Sequence, residues 1–111
     1  MTDRLQQDNS DFGMSDATYK IATLYDSLLN KYYKKLSGVL KGDDKKDLTQ
    51  AQKSWITFRD NETKLVATIS KDQYSGGGTM QRLTESSEYL TLIKNRVITL
   101  FEHYLRATQT Y

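Results

Sequence analysis

Four groups of residues in this 111-residue chain have types that could do chemistry, and each meets a physical obstacle. His103 is the only histidine and there is no cysteine, so a zinc site would need carboxylates around a single imidazole. Asp43, Asp44 and Asp47 lie close together, but lysines stand where a calcium loop needs further oxygen ligands and a glycine. They read as a solvated turn with a helix cap. The run Ser75-Gly76-Gly77-Gly78-Thr79 precedes a helical segment and could offer amides to an anion. It lacks the lysine-serine/threonine pair of a phosphate-binding loop and has no strand before it. Glycoside hydrolysis needs two carboxylates facing across a cleft, and nucleophilic catalysis needs a base beside its serine. Neither constellation is legible, so the expectation is a binding protein without catalytic residues, cofactor or metal.

The elements that must carry any binding surface are helical. Proline is absent, which favours long uninterrupted helices. Residues 1–13 are polar and are expected to form a flexible arm, with Ser15 or Asp16 as the N-cap of a first helix. From Ala17 to about Leu40, Ile21, Tyr25, Leu28, Tyr32, Leu36 and Val39 fall at helical spacing, widened by Ala22, Leu29 and Tyr33. A polar loop follows at 41–46. Asp47 and Gln50 have capping-box spacing for a second helix, whose stripe is Leu48, Ala51, Trp55, Phe58, Leu65 and Ile69, with Glu62 off-pattern. The periodicity stops near Ile69, and three consecutive glycines would not sit inside a helix without a large penalty. Thr79 can cap a third helix, from about Met80 to Arg106. Its heptad seam is Leu83, Ser86, Leu90, Ile93, Val97, Leu100 and Tyr104. The expected fold is all-α: a small antiparallel bundle of three long helices with a glycine-rich loop between helices two and three, spanning 14–111.

Composition narrows the partners. The net charge is +2, from 16 basic and 14 acidic residues, which does not point to nucleic acid. No apolar run reaches the roughly 18 residues of a membrane span, and the first residues show no apolar signal segment. That fits a cytoplasmic protein or a mature form whose signal has been replaced by Met1. Of the aromatic residues, Tyr25, Tyr32 and Trp55 belong to the stripes. Tyr19, Tyr74 and Tyr89 are freer to meet a protein partner.

Two segments carry a recognisable pattern. Asp26, Leu29, Asn30 and Tyr33 have the spacing D-x-x-L-N-x-x-Y. Leu48, Ala51, Gln52, Trp55, Phe58, Arg59 and Asp60 have the spacing L-x-x-A-Q-x-x-W-x-x-F-R-D. With Gly76-Gly77-Gly78-Thr79 and the later Arg96, the pattern over about Ala17 to Leu100 resembles the LprI-type lysozyme-inhibitor family. Members of that family commonly carry cysteines where this chain has Ala17 or Thr18, Thr63 and Glu88, so it resembles a divergent, cysteine-free member. Losing a disulfide commonly costs about 2–5 kcal/mol in a small secreted domain, which helix packing must offset.

The resemblance implies a small periplasmic or envelope protein that inhibits a lysozyme-like muramidase by binding it. The motif residues read as structural: Trp55 and Phe58 on a shared buried face, and Asn30, Gln52, Arg59 and Asp60 locking helix one to helix two. Contact with the partner is expected from Lys71, Tyr74, Ser75, Gly76, Gly77, Gly78, Thr79 and Arg82. Two other readings stand beside this one: an immunity protein that neutralises a secreted toxin by the same physics, and a helical adaptor or oligomerisation module whose helix-three heptad is partly an oligomer surface.

Overall fold

The computed structural model describes residues 2–78 and 80–109, with side chains from Gly13 onward. Among the described residues it is all-helical, and four helices replace the expected three: α1 (Thr2–Val39), α2 (Asp44–Ile69), α3 (Asp72–Ser75) and α4 (Met80–Thr108). The extra element is the single turn α3, formed within the connection read from sequence as a loop. At 1.5 Å per residue the 38 residues of α1 span about 57 Å, and the molecule measures 62 × 26 × 18 Å. It is a rod whose length is set by one helix.

The helix starts differ from the sequence expectation. α1 runs back to Thr2, through most of the segment read as an arm, so neither Ser15 nor Asp16 is an N-cap. Gly13 lies inside the helix. A lone helical glycine costs only about 1 kcal/mol, and no proline stops the backbone. α2 begins at Asp44, three residues before the expected cap. Asp43 precedes it without a capping hydrogen bond, and Gln50 Nε2 donates to Ser54 Oγ at 3.5 Å instead of closing a capping box. The expected cap Thr79 lies outside the described residues.

The strongest packing joins the first and last long helices, and α2 lies on α4 more sparsely. Ser15 meets Arg82, Tyr19 meets Tyr89, Tyr32 meets Phe101 and Lys35 meets Tyr104, so α1 and α4 run parallel. The return through α2 accounts for that direction. The buried row of α1 is Ser15, Ala22, Leu29 and Leu36, one residue per heptad. It faces Ser86, Ile93, Val97 and Leu100 on α4, of which Ser86, Ile93 and Leu100 are fully buried. A seven-residue repeat keeps two helices in continuous contact, and the small side chains at Ser15, Ala22 and Ser86 let them approach. Both buried hydroxyls are satisfied: Ser15 Oγ donates to the Arg82 carbonyl at 3.4 Å and Ser86 Oγ to the Leu83 carbonyl at 2.9 Å.

This seam corrects the expected stripes. The α4 heptad is the one read from sequence. On α1, however, the narrower line through Ala22 and Leu29 is the core, and Ile21, Leu28 and Val39 are exposed. On α2, Leu48 and Gln52 are buried while Phe58, Leu65 and Ile69 each keep about half their surface in water. A third helix laid on a two-helix pair buries only the narrow face that touches it. The row that turns inward is set by Leu48, Trp55 and a polar bond described below.

Two substitutions separate seam from surface. Ile93→Ala is expected to lower stability by about 2–5 kcal/mol, because it leaves a cavity in the one continuous core. Leu65→Ala is expected to cost less than about 1 kcal/mol. Urea denaturation of both variants measures this, and comparable losses would contradict the assignment of the core to α1 and α4.

Candidate binding site

The recognisable motif and the glycine connection lie in different parts of the rod. Gln52 is buried, and its Oε1 accepts a hydrogen bond from Arg96 Nε at 3.0 Å. Trp55 is flanked by two guanidiniums, Arg59 at 5.4 Å and Arg96 at 5.8 Å from its ring. Burial lowers the Arg96 pKa from its ordinary value, although no proton is lost near neutrality. Through Gln52, Trp55 and Arg96 the pattern therefore locks α2 chiefly to α4 rather than to α1. Arg59 pairs with its neighbour Asp60 at 3.0 Å within the same helix. Tyr33 Oη comes within 3.5 Å of Thr49 Oγ1, the described tie from α1 to the start of α2. Leu29 belongs to the core, Asp26 is half-buried and Asn30 is exposed. Phe58 does not share the buried face of Trp55: it is 50 % exposed.

The connection between α2 and α4 is ordered by local bonds. Lys71 is extended and precedes α3, whose turn closes when the Ser75 and Gly76 amides donate to the Lys71 and Asp72 carbonyls, both at 3.0 Å. Ser75 Oγ then accepts from the Gly77 amide at 3.3 Å. Gly76, Gly77 and Gly78 have φ of 82°, 70° and 95°, a region that L side chains rarely adopt. At Gly77 a Cβ would also require the Asp72 carboxylate to turn away, so a side chain there is disfavoured by backbone strain and by its neighbour. Tyr74 projects from this turn with 64 % of its surface exposed. Arg82 is exposed in the first turn of α4, and Thr79 lies outside the described residues.

Two other readings from sequence are resolved here. Tyr19 and Tyr89 pack on each other, with ring centroids 5.8 Å apart, so Tyr74 is the one of the three that extends freely. They line a small, partly open cavity of roughly 50 Å³ together with Thr63 and Glu88. Thr63 on α2 and Glu88 on α4, two positions where the sequence resemblance implies cysteine, line this one cavity. His103 is exposed and sits with Asp44, Asp47 and Arg96 along an open groove floored by Leu36, Leu40 and Leu48. Among the described residues no three histidine, aspartate or glutamate side chains cluster to hold a metal. No helix among the described residues is long and apolar enough to cross a membrane.

The polar lock is expected to be worth more than a surface pair. Arg96→Ala leaves the buried Gln52 oxygen without its donor, a loss of about 1–3 kcal/mol. Arg96→Lys restores only part of it, because lysine lacks the planar fork that stacks on Trp55. Chemical denaturation tests both, and a loss under about 0.5 kcal/mol in Arg96→Ala would contradict the lock.

The Tyr19 phenol is raised above its ordinary value of 10.0, first by desolvation and then by the charges of Glu85 and Tyr89. With the folded pKa raised, the unfolded chain loses this proton first. The contribution is therefore fully present below about pH 10 and declines as pH rises through the folded value. Tyrosinate absorbance should show a late-titrating component, and Tyr19→Phe should remove it and its share of the alkaline loss of stability. An unchanged titration in Tyr19→Phe would refute the assignment.

No curated protein and no solved structure matches the chain. A family model described as Lysozyme inhibitor LprI matches residues 2–100. That span takes in the Trp55 motif, the glycine connection and the α1–α4 seam, nearly the whole chain, which thus belongs to the LprI lysozyme-inhibitor family.

Proposed function

We propose that this chain is a non-catalytic periplasmic binding protein that blocks a lysozyme-like cell-wall hydrolase, and that it presents the α2–α4 connection to the enzyme. The carrying observation is Tyr74, a large aromatic side chain 64 % exposed on a turn fixed at both ends by helices. An aromatic anchor on a backbone already fixed before binding leaves only its own side chain to order when it docks. The glycines beside it bring bare backbone to the surface, so the partner can approach closely. Lys71 and Arg82 flank the turn with positive charge, which complements a cleft whose working groups are carboxylates. The motif residues Gln52, Trp55 and Arg96 act behind this surface by holding α2, and so the start of the connection, against α4.

A muramidase assay with the purified chain tests the reading. Inhibition is expected, with Tyr74→Ala raising the inhibition constant by about 30-fold, as removal of a hot-spot aromatic worth about 2 kcal/mol does. The variant should keep its helical content, since Tyr74 packs on nothing in the core. Full enzyme activity at high inhibitor concentration would reject inhibition. Inhibition unchanged in Tyr74→Ala would move the binding surface away from this turn.

A further inference from the structure

The seam that joins α1 to α4 uses one face of α1, and a second face of the same helix carries its own heptad pattern that none of the described residues covers. Met14, Ala17, Ile21, Leu24 and Leu28 follow one another at alternating spacings of three and four, the a and d positions of a coiled coil. All five are exposed, Leu24 most of all at 68 %. At 100° per residue this row lies well round the helix from the Ala22–Leu29 core row. It is on the flank opposite Tyr19 and Tyr33, which turn toward α2. The apolar surface continues onto α4. Phe101 packs edge-on against Tyr32 with centroids 5.2 Å apart, and Ile98 shares its face three residues earlier; both are exposed.

We propose that this face is the self-association surface of the protein, covered by α1 of a second copy in antiparallel orientation. Heptad spacing selects a helix as the occupant, since knobs fit holes only on another helix. The exposed apolar side chains of the row, with Ile98 and Phe101, amount to roughly 500 Å². That is near the upper end of what a monomer normally leaves uncovered. With the polar rim around it, the face approaches the roughly 800 Å² per partner of a standard stable interface.

Charge selects the direction. The heptad continues into Lys31 and Lys35 at the next d and a positions. Parallel pairing in register would stack each lysine on its own copy within the seam. Antiparallel pairing that sets Ile21 against Leu24 of the partner puts Lys31 level with Met14. The two Lys31 residues are then about 25 Å apart along the axis, beyond the Debye length of roughly 8–10 Å. Antiparallel a-to-d layers also match the four central apolar residues with one another, Ala17 with Leu28 and Ile21 with Leu24, and leave Lys31 beside Met14 at the end of the row. The residues of this surface lie on α1 and α4, and the Tyr74 turn is not among them.

Sedimentation equilibrium of the full chain, from about 1 µM to about 1 mM, reads the association directly. The wild-type chain is expected to move from monomer to dimer mass across that range. Leu24→Lys is expected to remain monomeric with unchanged helical circular dichroism, because Leu24 is the least packed residue of the row. Monomer mass throughout for the wild type overturns the proposal. So does a dimer that survives Leu24→Lys but is dissociated by Phe58→Lys on α2. Direction is read by cross-linking, since the chain has no cysteine of its own. Ile21→Cys chains mixed with Leu24→Cys chains should form the mixed disulfide in preference to either homodimer. Preferential Leu24→Cys homodimers would overturn the antiparallel arrangement.

Discussion

One contact organises this molecule: the parallel seam between α1 and α4, in which Ser15, Ala22, Leu29 and Leu36 face Ser86, Ile93, Val97 and Leu100. Everything else is fastened to that pair. The seam joins residues about 70 positions apart in sequence, so the chain must travel out along α1 and back along α2 before its core can close. The core that results is thin. Large apolar side chains are more often exposed than buried here, as Leu24, Phe58 and Leu65 illustrate, and a rod 18 Å across at its narrowest has little interior to offer.

Because α2 contributes only Leu48 to the buried apolar cluster, its attachment depends on specific bonds. The Gln52–Arg96 hydrogen bond and the Trp55 ring between two guanidiniums fix its rotation about its own axis. The most conspicuous motif in the sequence thus acts structurally, by setting which face of α2 turns inward. That rotation leaves Phe58 outside, and it sets the course of the chain into the glycine connection. In a chain without cysteines, such a polar lock and the Tyr19–Tyr89 contact between α1 and α4 are among the side-chain ties that join the helices.

The helical class, the α4 heptad and the glycine break were legible in the sequence because each rests on spacing or backbone sterics. The start of α1 was not, because Ser15 has the chemistry of a cap and its use as a buried donor to α4 depends on a partner far along the chain. The α1 core row was hidden for a related reason. Two apolar rows share that helix, and periodicity marks both without saying which one meets α4. For α2, burial of a glutamine in place of a phenylalanine inverts the hydrophobic rule, and only the position of Arg96 accounts for it. At the candidate site, the exposure of Tyr74 followed from its glycine neighbours. The single turn α3 that holds it did not, since four residues are too few to show a period.

The central claim is that α1 and α4 form the stable unit and that α2, with the connection after it, is held on by local ties. Native-state hydrogen exchange read amide by amide tests this most directly. The account predicts that the slowest amides lie in residues 15–36 of α1 and 86–100 of α4. Those of α2 should exchange through a smaller opening that leaves the seam intact, and faster still in Arg96→Ala. Protection in α2 equal to that of the seam, or loss of all three helices in one common opening, would contradict it.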